Sequence, residues 1–163
     1  MNNKILLGVG AVIVIVAAVF VLKDSSEQGA INHKNATYII GGQEVRLKDG
    51  VAYGTGYFGN EVVKDLNGDG RKDVAFILTN TGWGSGTFYY VVAALNTEKG
   101  NVGSEGFLLG DRIAPQTSEI RDGLLIVNYA ERGPNEPMTA RPSFGKSAYL
   151  KLNTKTMKLE VVR

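Results

Sequence analysis

Residues 65–73 read Asp-Leu-Asn-Gly-Asp-Gly-Arg-Lys-Asp. The spacing D-x-N-x-D-G-x-x-D sets three carboxylates and one side-chain amide at intervals that converge if the loop curls around a point. Calcium takes six to eight oxygens at about 2.3–2.6 Å in a flexible cage. Asp65, Asn67, Asp69 and Asp73 supply side-chain donors, Gly70 the sharp bend, and Arg71 its backbone carbonyl. The basic side chains of Arg71 and Lys72 would then point outward. Five donors result, and a bidentate carboxylate or a water completes the shell. The competing reading is an Asn-Gly/Asp-Gly hairpin with incidental acids. Three carboxylates crowded into nine residues repel one another without a cation, so the sequence predicts a structural Ca2+ bound by Asp65, Asn67, Asp69, Arg71 and Asp73.

Few other residues could do chemistry. The chain has no cysteine, which excludes disulfides, thiolate zinc sites, a cysteine nucleophile and an acylated-cysteine anchor. Its single histidine, His33, falls in a polar segment and reads as a solvated linker residue, because a stalk cannot hold an imidazole rigidly for catalysis. The Gly-rich stretch Thr79–Thr87 lacks the Lys-Ser/Thr of a phosphate loop and reads as a long turn. Trp83, between glycines in that turn, could stack on a sugar or fill a partner's pocket. Arg112 and Arg132 are the other candidate ligand-binding residues, beside the Pro-rich excursion that follows Tyr129. An envelope hydrolase built on the carboxylates of Glu131 and Asp111 is the catalytic alternative. No motif supports it, and a non-enzyme is expected.

The elements around the loop are of three kinds. Ile5 to Leu22 is an eighteen-residue run without a polar side chain, about 27 Å as a helix and close to the thickness of a bilayer's hydrocarbon. Lys4 and the terminal amine precede it, which places the N-terminus in the cytoplasm and the rest outside. The run ends in bulky Val-Phe-Val-Leu with no A-x-A after it, so an uncleaved anchor over 1–22 is expected, with a cleaved signal as the alternative. Residues 23–36 are polar and aperiodic and read as a flexible linker. From 37 to 163 short runs of Val, Ile, Tyr and Phe are separated by turn signals about every ten residues. The expected fold is mainly β, an antiparallel sheet folded as a sandwich or partly open barrel. Thr87–Leu95 is apolar at nearly every position and reads as a central strand covered on both faces. A short helix is possible over 112–119.

An EF-hand would need a Glu at loop position 12, and that position is Phe76. The acidic loop followed by the strand-like Asp73–Leu78 instead resembles the calcium loops of FG-GAP and VCBS repeats. More widely, Tyr57-Phe58-Gly59-Asn60, the acidic loop, Gly84–Tyr90, Leu109–Arg112 and Gly133–Met138 follow an order similar to that of a family of small, uncharacterised, exported or membrane-anchored bacterial proteins. Members of that family often carry two cysteines where this chain has Thr139-Ala140. The resemblance implies export and a β fold, and brings no assigned activity.

The net charge of +2 comes from scattered residues, which gives no basic face for nucleic acid. The reading as a whole is a monomeric, non-catalytic, calcium-stabilised binding or scaffolding module. It sits on the outer side of the cell membrane, periplasmic or at the cell surface, held there by its N-terminal helix. Its partner would be an envelope protein or a glycan. An inhibitor or chaperone-like role toward exported proteins is the other non-catalytic expectation.

Overall fold

The structure is a computed structural model that describes residues 31–82 and 84–162. The expected membrane helix over 1–22, most of the expected linker, and Trp83 lie outside those residues. Among the described residues no helix is long and apolar enough to cross a membrane.

Twelve strands follow a single-turn 3-10 segment, His33–Asn35: β1 (Thr37–Ile40), β2 (Gln43–Arg46), β3 (Val51–Ala52), β4 (Thr55–Lys64), β5 (Asp73–Asn80), β6 (Phe88–Thr97), β7 (Gly100–Gly103), β8 (Phe107–Asp111), β9 (Ala114–Arg121), β10 (Leu124–Glu131), β11 (Phe144–Asn153) and β12 (Lys158–Val161). β1 and β2 form a hairpin whose two turn residues, Gly41 and Gly42, both have positive φ, the conformation that matches a tight turn to strand twist. β3-β4-β5-β6-β7 form the main sheet, with β8 also paired to β6, and β12-β11-β10-β9 form the second. Every ladder is antiparallel. The fold is mainly β, and no closed barrel forms.

The alternation of side chains along a strand splits the core in two. Val74, Phe76 and Leu78 of β5 pack with Tyr90, Val92 and Ala94 of β6 against Tyr38 and Ile40 of the hairpin. Ala75, Ile77 and Val91 point the other way, onto Leu125, Val127 and Tyr129 of β10 and Leu150 of β11. β6 is thus covered on both faces, as its composition predicts, and β5 equally so. Gly103 marks how tightly β7 passes β1: a Cβ there would strike the Thr37 carbonyl oxygen and the Tyr38 ring.

One open reading is decided here and one expectation fails. Residues 114–121 form a strand, β9, at the edge of the second sheet, where Pro115 at its start removes no needed donor. His33 is buried rather than solvated. Its ring lies 4.9 Å from that of Phe76, and its Nε2 is 2.7 Å from a Glu61 carboxylate oxygen. Tyr38 donates its hydroxyl to the His33 carbonyl, and Ile31 packs on the same core. The polar segment expected to be a free linker through residue 36 is therefore folded onto the domain from residue 31 onward, because the packing of Ile31 and of the His33 ring, together with the hydrogen bonds from Tyr38 and to Glu61, offsets the ordering of its backbone.

Candidate metal-binding loop and its surroundings

The acidic loop joins β4 to β5, the strand at the centre of both core clusters. Gly68 and Gly70 each have φ of 82°, so the chain curls as the spacing requires. The curl is held by its acids. Asp65 accepts from the amides of Asn67, Gly68 and Gly70, the last at 2.8 Å. Asn67 accepts from the Asp69 amide, and Asp69 from the amide of Arg71. The Asn67 side-chain amide donates to the second oxygen of Asp69 at 3.0 Å. All but the last are short-range bonds between a side chain and the backbone, of the kind that substitutes for regular structure in a turn.

Asp73 behaves differently. It is wholly buried, and its two oxygens accept from the amides of Leu66 at 2.7 Å and Asn96 at 2.8 Å. It therefore ties the start of the loop to β6. Burial, reinforced by the charges of Asp69 and Asp65, pushes its carboxyl above the usual range despite those two amides. Asp65 shifts the other way. The Gly70 amide foremost, helped by those of Gly68, Asn67 and Asp69, outweighs its desolvation and holds it below that range.

None of the three carboxylates has a basic group within ion-pair distance among the described residues. Arg71 turns outward to Glu98 at 2.8 Å, across a shallow polar hollow shared with Asp69, Thr97 and Lys99. With the side chains turned to these amides, no set of three His, Cys, Asp or Glu groups among the described residues converges as a ready cluster for a metal. Both oxygens of Asp69 and of Asp73, and Oδ2 of Asp65, each accept one hydrogen bond and keep a lone pair, while Oδ1 of Asp65 already accepts two amides. Asn67 and Asp69 are exposed, and turning either side chain inward would exchange its bonds to the amides of Asp69 and Arg71 for a ligand.

No protein-family model, curated protein or solved structure matches the chain.

The remaining candidates are occupied differently. Arg112, with a φ of 47°, donates its guanidinium to the Ser85 carbonyl and pairs with Asp111 at 3.4 Å. Asp111 accepts the Thr87 amide at 2.8 Å. Arg132 donates to the carbonyls of Ala140 and Arg112 at 2.7 and 2.9 Å. These residues fasten the loops at 81–87 and 132–143 to the ends of β8 and β10. Glu131 pairs with Lys146 at 2.5 Å, so Glu131 and Asp111 each carry a basic partner of their own.

Sequence reasoning missed the cluster around His33. Glu61 accepts from the Tyr57 hydroxyl as well as facing His33, both at 2.7 Å, and Lys34 lies over the Tyr57 ring. Burial pushes the Glu61 carboxyl up. The bonds from Tyr57 and His33, with the charges of His33 and Lys34, outweigh that and leave it below its ordinary value. Tyr57 is driven up to about 12 by burial, helped by its bond to Glu61 and by that carboxylate's charge. Nothing local in the sequence joins His33 to Tyr57 and Glu61, which lie more than twenty positions away.

Proposed function

We propose that the chain is a calcium-stabilised, non-catalytic binding or scaffolding module, held outside a bacterial cell membrane by its first 22 residues. The two stacked sheets are read as a sandwich. One observation carries the calcium reading: three carboxylates share one nine-residue loop, one of them buried, and among the described residues no basic side chain within ion-pair range offsets them. Ionising Asp73 costs the fold because of burial and its two acidic neighbours. A divalent cation at the loop centre cancels that cost, as an opposite charge does for any crowded carboxylate. The backbone curl at Gly68 and Gly70 suits calcium better than magnesium, which demands a tight octahedron. Calcium here would brace β5, the strand that both cores share, and leave the outer surfaces for an envelope protein or a glycan.

Titration calorimetry with calcium tests the metal, and a Kd of roughly 10⁻⁵–10⁻³ M is expected for an exported module. The melting temperature should fall by several degrees in chelator and recover with excess calcium. Absence of heat at millimolar calcium, together with a melt indifferent to chelator, removes the calcium reading. A reporter fused to the C-terminus tests placement: activity only outside the membrane is expected, and cytoplasmic activity overturns it.

A further inference from the structure

Asn67-Gly68 is the sole Asn-Gly pair in the sequence, and it sits at the exposed tip of the acidic loop. Asparagine is among the thermolabile residues of proteins. The nitrogen of the following peptide can attack its Cγ and close a five-membered ring. A side chain on the following residue hinders that approach, and glycine has none. Around Gly68 the space is open: a Cβ there would meet nothing within 4 Å.

Three hydrogen bonds bear on the reacting atoms. Asn67 Oδ1 accepts the Asp69 amide at 3.0 Å, which folds the side chain back along its own following peptide instead of out into water. The same bond sets a donor on the oxygen where negative charge develops during attack. The Gly68 nitrogen donates to Asp65 Oδ1 at 2.7 Å, an acceptor within reach of the proton that this nitrogen must shed. Nδ2 of Asn67, the group that leaves, donates to Asp69 Oδ2 at 3.0 Å.

We infer that Asn67 is a self-modifying site of the metal-free loop, converting to aspartate and isoaspartate. The bond between Gly68 N and Asn67 Cγ forms, and the bond between Cγ and Nδ2 breaks. The proton shed by Gly68 leaves with Nδ2 as ammonia. Water then opens the ring at either carbonyl, with no change of oxidation state. Aspartate adds a fourth carboxylate to the loop. Isoaspartate lengthens the backbone by one carbon and undoes the curl. Calcium protects the site, a point that rests on the proposed metal reading: turning Asn67 Oδ1 to a cation gives up its bond to the Asp69 amide and draws Cγ away from the Gly68 nitrogen.

Peptide mapping by mass spectrometry of the full chain, aged in chelator or in excess calcium, tests the site. In chelator the peptide holding Asn67 should exchange NH2 for OH and separate into aspartate and isoaspartate forms. Excess calcium should slow that reaction at least tenfold. Asn67→Gln, whose ring would need six members, should fold, because the side chain is exposed, and should leave this peptide unmodified. Asn67→Asp should keep the heat of calcium binding, while the aged chain loses it in proportion to its isoaspartate. An Asn67 peptide that stays unchanged in chelator, when the urea-unfolded chain has reacted, overturns the inference. A mass gain that persists at this peptide in Asn67→Gln overturns it too. Calcium heat with no slowing of the reaction overturns the protection. If calcium gives no heat, the metal reading fails, and reaction at Asn67 in chelator still supports the self-modification.

Discussion

The two loops richest in charge, 65–73 and 132–143, solve opposite problems. In 132–143 the cation is the fastener. Arg132 reaches the carbonyls of Ala140 and Arg112, Glu136 accepts the Gly133 amide, and charges of both signs alternate along the segment. In 65–73 the anions are the fasteners, all three carboxylates bonding to amides and none to a cation. A fixed charge bonded to a neutral backbone group gives either loop its shape. Of the two, the acidic loop is the one left with like charges crowded together, and the calcium proposal rests on that difference.

The comparison breaks most sharply at Asp73. Asp73→Ala removes the carboxylate that accepts from the amides of Leu66 and Asn96, the second of them on β6, and should cost about 1–3 kcal/mol in urea denaturation, the range for losing hydrogen bonds to a charged group. Asp73→Asn keeps one acceptor and loses the charge. In chelator it should sit nearer wild type than the alanine variant does, and it should respond little to calcium. If both variants match wild type, Asp73 is not the tie between the loop and β6.

Asp69→Ala comes next. At a hundredfold excess of calcium over Kd the wild-type loop gains about 2.7 kcal/mol. Asp69→Ala should forfeit that gain and melt like the wild type in chelator. A variant that keeps the full calcium response would place the ion elsewhere.

Arg132→Ala probes the other loop and should cost about 1–2 kcal/mol, the loss of two charge-assisted bonds to partly buried carbonyls. The loss should be the same with calcium or chelator. Calcium dependence here would join the two loops that the comparison separates.

The smallest effect belongs to Glu61, whose carboxyl is depressed in the fold. A depressed carboxyl contributes stability that is present above its unfolded value and lost as pH falls through the folded one. Glu61→Gln should therefore flatten the acid limb of the stability profile and change little near neutrality. An unchanged acid limb would show that the pair with His33 contributes nothing measurable.

Much of this was legible in the residues. The runs of Val, Ile, Tyr and Phe mark the strands, Gly41-Gly42 and Asp122-Gly123 the hairpins, and unbroken apolarity the twice-covered β6. The acid spacing marks a curled loop, and the curl is there. What resisted reading depends on contacts far along the chain. His33 looks like a linker residue because Phe76 and Glu61, which bury it, lie far downstream. β9, Ala-Pro-Gln-Thr-Ser-Glu-Ile-Arg, carries few apolar residues because it runs along a sheet edge, and the sequence could not tell it from a short helix. The arginine clamps have no signature at all: their partners are backbone carbonyls, which every residue possesses.

The order of the strands bears on how the chain acquires its shape. Within each sheet nearly every ladder joins consecutive strands, so loop closures are short and folding is expected to be fast for an all-β chain. All strands of the main sheet are present once synthesis has passed Asp111, before any residue of the second sheet has followed. During that interval Ala75, Ile77 and Val91, which the second sheet later covers, face solvent. A newly made chain thus carries for a time one sticky, unpaired sheet face, and its closure depends on the residues after Asp111 arriving before a second copy does.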